Sequence, residues 1–276
     1  MKTRILTAIV MLAVFIPILW FADTIVYPIA MAILAAVAVF ELLRCIGLGT
    51  DLFILVPTAL LTASMPLLSR FATSPFSHFG GITAAWFLLT LYLFALAVFR
   101  AGDLKYGSVA GALGGSFYFA VAFSSMVLLR DLSGGVYLFL LPFLGSWVTD
   151  TFAYFTGRIC GKHKLAPIVS PKKTVEGSIG GIVFAVGVFA LYGLVIAKGG
   201  YTPNYLALLV CGLLVSIVSQ IGDLSLSAIK REYGIKDYSR LFPGHGGVLD
   251  RFDSVIATAP LILLFCLLEG GLSLFY

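Results

Sequence analysis

The sequence predicts an all-α polytopic membrane protein, with about nine transmembrane helices joined by short loops. Three observations predict it. Hydrophobic residues make up 60% of the 276 residues and charged residues only 11%, with mean hydropathy +1.05; a soluble domain carries roughly 25% charged residues. Apolar runs of ~20 residues, the length that crosses a bilayer as a helix, recur along the whole chain. No polar stretch exceeds ~20 residues, against the ~50 that an independent extramembrane domain needs. Residues 1–276 are therefore read as one integral-membrane domain.

In chain order, the spans are approximately 4–22, 24–44, 51–69, 80–99, 106–129, 134–157, 178–197, 203–227 and 248–273. Backbone groups in hydrocarbon must be satisfied within each segment, which makes these runs helices rather than open strands. Pro17, Pro28, Pro57, Pro66, Pro142 and Pro260 lie inside them as candidate kinks. Lys2 and Arg4 ahead of the first run imitate a signal peptide, but Trp20 and Phe21 before Ala22 make a poor cleavage site. That run is read as an uncleaved span.

Nine spans put the termini on opposite sides. With the amino terminus inside, all 18 basic residues except Arg70, Arg130 and Lys198 face the cytoplasm, as the positive-inside rule requires. The net charge of +5 follows this topology and does not point to nucleic acid. Cys45, Cys160, Cys211 and Cys266 show no CxxC spacing, so neither a disulfide framework nor a zinc site is indicated.

The first four spans, and residues 1–130 generally, carry little chemistry. Glu41 stands near the end of the second span beside Arg44, where an i, i+3 ion pair and a functional role are both open. Asp23, Asp51 and Asp131 are expected to be solvated at span boundaries, and His78 to lie in an outside loop. Gly111, Gly114, Gly115, Gly180 and Gly181 offer small faces on which membrane helices pack closely.

Chemistry begins in the sixth span, so the catalytic portion is placed at about 134–276. Asp150 lies within that span, and the loop after it reads GRICGKHKLAPIVSPKKTVEGSIGG from Gly157 to Gly181. Lys172, Lys173, Thr174 and Glu176 stand at the start of the next helix, where dipole and lysines would favour a phosphate. An ordinary capped helix with topology charges is the alternative.

The strongest signal is GDLSLSAIKREYGIKDYSRLFPGHGGVLDRFD, from Gly222 to Asp253. Asp223 falls inside one expected span, and Asp250 and Asp253 open another. Charge at bilayer depth is costly and marks functional sites by default. Asp250 and Asp253 are three apart, on one face of a helix. If the two helices are neighbours, three hard oxygen donors converge, a set that suits Mg²⁺ with substrate phosphates and waters. Lys230, Arg231, Lys236, Arg240 and Arg251 are phosphate-type donors. Gly244, Gly246 and Gly247 allow close backbone approach to an anion, and His245 between them can donate to a phosphate. Taken singly, each piece is ordinary; together in one short segment at a membrane face they indicate a site.

The run Ser227, Lys230-Arg231, Lys236-Asp237, Ser239, Phe242-Pro243, His245-Gly246-Gly247, Asp250-Arg251, Asp253 resembles the signature of the phosphatidate cytidylyltransferases, the CDP-diacylglycerol synthases. The SPKKTVEG segment and the aspartate upstream are similar to a second element of that family. The resemblance implies that CTP and phosphatidate give CDP-diacylglycerol and pyrophosphate at the cytoplasmic face of a bacterial inner membrane. It implies metal at Asp223, Asp250 and Asp253, and catalytic roles for these with Lys230, Arg231 and His245. Substrate binding falls to Asp150, Lys172, Lys173, Thr174, Glu176, Ser227, Lys236, Asp237, Arg240, Gly246, Gly247 and Arg251. The cofactor is Mg²⁺, with a second metal ion open; the partners are CTP, phosphatidate, membrane lipids and a homodimer mate, with no nucleic acid. The alternatives are a CTP-dependent enzyme for another lipid phosphate and, in a different class, a cation- or proton-coupled transporter using Glu41, Asp150 and Asp223. Against the transporter, the acids cluster with phosphate-type bases and no inverted repeat is evident.

Overall fold

The computed structural model describes residues 2–267 and 273–276, with side chains from residue 6 onward. The side chains of Lys2 and Arg4, and residues 268–272 of the ninth expected span, lie outside the described residues. Ten helices are described: α1 (Lys2–Trp20), α2 (Val26–Cys45), α3 (Leu52–Ser69), α4 (Pro75–Phe99), α5 (Tyr106–Asp131), the single turn α6 (Gly135–Leu138), α7 (Leu141–Cys160), α8 (Val175–Lys198), α9 (Tyr205–Glu232) and α10 (Leu249–Leu267). An antiparallel hairpin of β1 (Lys164–Ala166) and β2 (Ser170–Thr174) separates α7 from α8. Among the described residues, seven segments are long and apolar enough to cross a membrane, α6 and α7 counting as one. The protein is an all-α polytopic membrane protein.

Local chemistry explains where the boundaries depart from expectation. Ser74 and Ser77 form a reciprocal capping box with Pro75 in the first turn, so α4 starts earlier than the apolar run and takes His78 into the helix, buried. Pro142 lies in the first turn of α7 rather than inside a continuous span, so the sixth span begins as two pieces, α6 and α7. α9 runs past residue 227 to Glu232, placing Lys230 and Arg231 in its last turn, where cations suit the helix dipole.

The chain divides into two compact units, one of residues 1–133 with 232–251 and the other of residues 134–231 with 252–276. In the first unit α2, α3 and α5 pack together and α4 lies on α5. The core holds Tyr27, Met31, Leu43, Ile54, Phe119 and Phe123, all fully buried. Gly115 lies tight against Leu42 of α2; Gly111 has only ordinary contact and Gly114 faces open space, so just one of these three is required for packing. Two of the boundary aspartates are paired rather than simply solvated. Asp51 caps α3 and meets Arg100 at 2.5 Å, and Asp131 meets Arg70 at 2.8 Å.

In the second unit α7 packs along α8, with the hairpin against both. A Cβ on Gly177 would stand 2.6 Å from the Ala153 carbonyl oxygen, and one on Gly181 would stand 2.9 Å from that of Thr149. The two backbones therefore touch, the close approach that small residues permit between membrane helices.

Candidate active site

Within the second unit, α7, α9 and α10 bring three carboxylates together. Gly222 of α9 lies against α10, where an added Cβ would meet the Ala257 methyl at 2.5 Å and the Asp253 carbonyl oxygen at 2.7 Å. That contact sets Asp223, the next residue, beside Asp253. Asp253 is in electrostatic range of Asp223, Asp150 and Lys230. Asp150 joins from α7, with the Ser254 hydroxyl donating to its Oδ2 at 3.4 Å. Deeper along the same helices, the Thr149 hydroxyl donates to Ser216 at 2.9 Å, and Ser146 and Thr258 lie 3.3 Å apart. Hydroxyls thus line the contacts of α7 with α9 and α10, in keeping with polar contacts between membrane helices.

Two lysines face these acids. Lys173 Nζ stands 2.5 Å from Asp223 Oδ2, and the Ser227 hydroxyl donates to Asp223 Oδ1 at 3.2 Å. Lys230, two turns beyond Asp223 in α9 and one beyond Ser227, is buried. Alternation along β2 separates the paired lysines: Lys173 is partly covered, while Lys172 is exposed. Arg231 Nε donates to the Val169 carbonyl at 3.3 Å, tying the end of α9 to the hairpin turn.

Thr174 and Glu176 hold the scaffold. The Thr174 hydroxyl accepts from Gly177 N–H at 3.1 Å as the N-cap of α8. Glu176 accepts from Lys162 N–H at 3.0 Å and from His163 N–H at 3.2 Å, and lies 2.6 Å from the His163 ring Nδ1. Its carboxylate therefore ties the start of α8 to the strand that enters the hairpin. The hairpin itself was not legible in the sequence, because SPKKT carries a proline and no apolar alternation.

Within the first unit the glycine-rich turn is a closed loop. Phe242 bridges Gly246, and Gly244 and Gly246 have φ of 78° and 90°, the left-handed region that glycine enters without strain. Asp250 Oδ2 accepts from Tyr238 N–H at 2.8 Å and from Gly247 N–H at 2.9 Å. The His245 Nδ1 is buried and finds no protein hydrogen-bond partner. Beside the loop lies a cavity of about 670 Å³, lined in part by Arg44, Lys236, Asp237, Ser239 and Arg240. Arg44, which the sequence offers as an ion-pair partner for Glu41 and as a topology charge, lines this cavity instead. Arg251 is exposed.

Among the described residues, no group of three or more His, Cys, Asp or Glu side chains is placed to hold a metal ion. Magnesium does not need such a cage, since it takes one or two carboxylates with phosphate oxygens and waters. Asp223 and Asp253, neighbouring hard donors, fit that requirement.

A cytidylyltransferase family model matches residues 2–268. Among curated proteins, the phosphatidate cytidylyltransferase of Staphylococcus haemolyticus (strain JCSC1435) is 36% identical over 266 residues, 95% of this chain and 97% of that protein. The protein of the same name from Staphylococcus saprophyticus is 33% identical over 263 residues, at the same two coverages. That of Staphylococcus aureus (strain COL) is 36% identical over 266 residues, again covering 95% and 97%. The acids and phosphate-type cations on α9 and α10 thus belong to a chain matched over nearly its whole length, and the protein is a member of the cytidylyltransferase family.

Proposed function

We propose that this protein transfers the cytidylyl group of CTP to phosphatidate, giving CDP-diacylglycerol and pyrophosphate, at the cytoplasmic face of the bacterial inner membrane. The observation that carries the reading is the cluster of Asp150, Asp223 and Asp253 with Lys173 and Lys230, set among membrane helices.

The chemistry asks little of an acid or base. A phosphatidate oxygen, already anionic, attacks the α-phosphorus of CTP; a new P–O bond forms as the bond to the β-phosphate oxygen breaks, and pyrophosphate leaves with that electron pair. The enzyme must bring two polyanions together and stabilise the charge that moves onto the leaving group. Lys173 and Lys230 supply fixed positive charge in the second unit, and the hairpin holds Lys173 there through its ion pair. In the first unit, Arg44, Lys236 and Arg240 give a basic cavity in which a phosphate is neutralised. In the second unit, Asp223 and Asp253 are the residues that would hold Mg²⁺, which would contribute charge neutralisation at phosphate oxygens.

Orientation rests on the basic residues, 15 of the 18 falling on one side of the expected topology. The test is direct. Purified protein in detergent, given phosphatidate and CTP labelled at the α-phosphate, should place the label in a lipid and release pyrophosphate. Label that stays in water-soluble material would overturn the reading. Faster labelling of a different lipid phosphate would move the substrate assignment.

A further inference from the structure

The last turn of α2 reaches into the glycine-rich loop of the first unit. Glu41 is 1% exposed, a carboxylate buried in an otherwise apolar helix. Its Oε1 accepts from the Ser239 hydroxyl at 2.6 Å and from Val248 N–H at 3.0 Å. Its Oε2 accepts from Leu249 N–H at 2.9 Å, 208 residues away in sequence. Val248 and Leu249 open α10, and the first N–H groups of a helix have no acceptor within it. A nearby Ser, Thr, Asp or Asn normally supplies that acceptor; here a carboxylate from another helix does.

The fit is tight on the loop side too. A Cβ on Gly247 would overlap the Glu41 carboxylate. Ser239 passes the contact on, since its hydroxyl also accepts from Leu241 N–H at 3.2 Å. Asp250 clamps the same loop from the helix, through Tyr238 and Gly247 N–H. A buried carboxylate is costly to keep, and an apolar residue would pack α2 at less cost. The charge is explained by what it holds: the segment from Ser239 to Leu249 is fastened at both ends to one side chain.

We propose that Glu41 is a positioning residue for the transfer reaction. It sets the placement of His245, Gly246 and Gly247 and of the first turn of α10, with Asp250 on it, and does not itself touch substrate. The inference rests on the reading that the Gly222–Asp253 segment holds the reacting groups.

The test compares Glu41→Gln, Glu41→Asp and Ser239→Ala in the full-length protein, purified in detergent, with kcat and both KM values taken per folded molecule. Gln keeps the size but replaces one acceptor with an N–H₂ group that faces backbone donors. The expected result is a kcat fall of roughly 100-fold for Glu41→Gln, the scale on which misplacement of reacting groups acts, with both KM values changed by less than about threefold. Glu41→Asp keeps the charge and should regain part of the loss. Ser239→Ala removes one donor of three and should cost kcat roughly tenfold. A merely structural role would lower melting temperature and yield while leaving kcat per folded molecule unchanged, and that result overturns the proposal. If Glu41→Gln does not fold, unchanged kcat in Ser239→Ala overturns it. Asp253→Asn is assayed alongside: normal turnover there means the reading of the reacting centre has failed, whereas an inactive Asp253→Asn beside a fully active Glu41→Gln defeats the positioning role alone.

Discussion

Lys173 Nζ lies 2.5 Å from Asp223 Oδ2, so the short hairpin before α8 is joined to the middle of α9 by an ion pair. The SPKKT segment is thereby placed beside the acids of the second unit. It also distinguishes two neighbouring lysines that look alike in sequence.

Replacement of Lys173 by Gln is expected to matter more than replacement of Lys172. Losing a charge-assisted contact of this kind costs about 1.5–3 kcal/mol, roughly 10- to 100-fold in kcat/KM for one of the two substrates. Lys172→Gln, on the exposed side of β2, should change it by less than about threefold. Steady-state kinetics on the two single variants check this, and equal effects would contradict the separation by strand alternation.

The contact of Gly222 with α10 gives a prediction about packing. Gly222→Ala puts a methyl where Ala257 and the Asp253 carbonyl already stand. Overpacking of this sort costs about 1–3 kcal/mol, so the melting temperature in detergent should fall and turnover with it. Gly114→Ala, which meets open space, is the matched control and should leave both unchanged.

Span positions were legible because hydrocarbon forces each backbone segment to satisfy itself, which imposes a length and an apolar composition visible residue by residue. The acids and bases of Gly222–Asp253 were legible for the complementary reason, that charge within such runs stands out. What escaped depends on partners distant in sequence. Nothing near Glu41 announces that Val248 and Leu249 lack acceptors, whereas Arg44 offers an obvious but unused ion pair at i+3. Asp51 and Asp131 read as solvated because Arg100 and Arg70 meet them only after the helices turn back. Glu176 stands close to two lysines in sequence but binds Lys162 and His163, just ahead of the hairpin, instead.

Orientation is open to labelling. A cysteine at Arg240, in a cysteine-free background, is expected to react with an impermeant reagent only from the cytoplasmic side. Labelling only from the opposite side would overturn the topology, and with it the supply of nucleotide to this face.

The most direct test of the account is the turnover of Asp253→Asn across a Mg²⁺ titration, measured as CTP-derived label entering lipid. The carboxylate shares its surroundings with Asp223, Asp150 and Lys230, so removing its charge should leave the helices packed while lowering kcat by at least about 100-fold. Added Mg²⁺ should recover little of that loss, and a chelator should silence the unaltered protein in the same assay. Near-normal turnover of Asp253→Asn at ordinary Mg²⁺, or full activity of the unaltered protein in chelator, would contradict the assignment of the reacting centre to these acids.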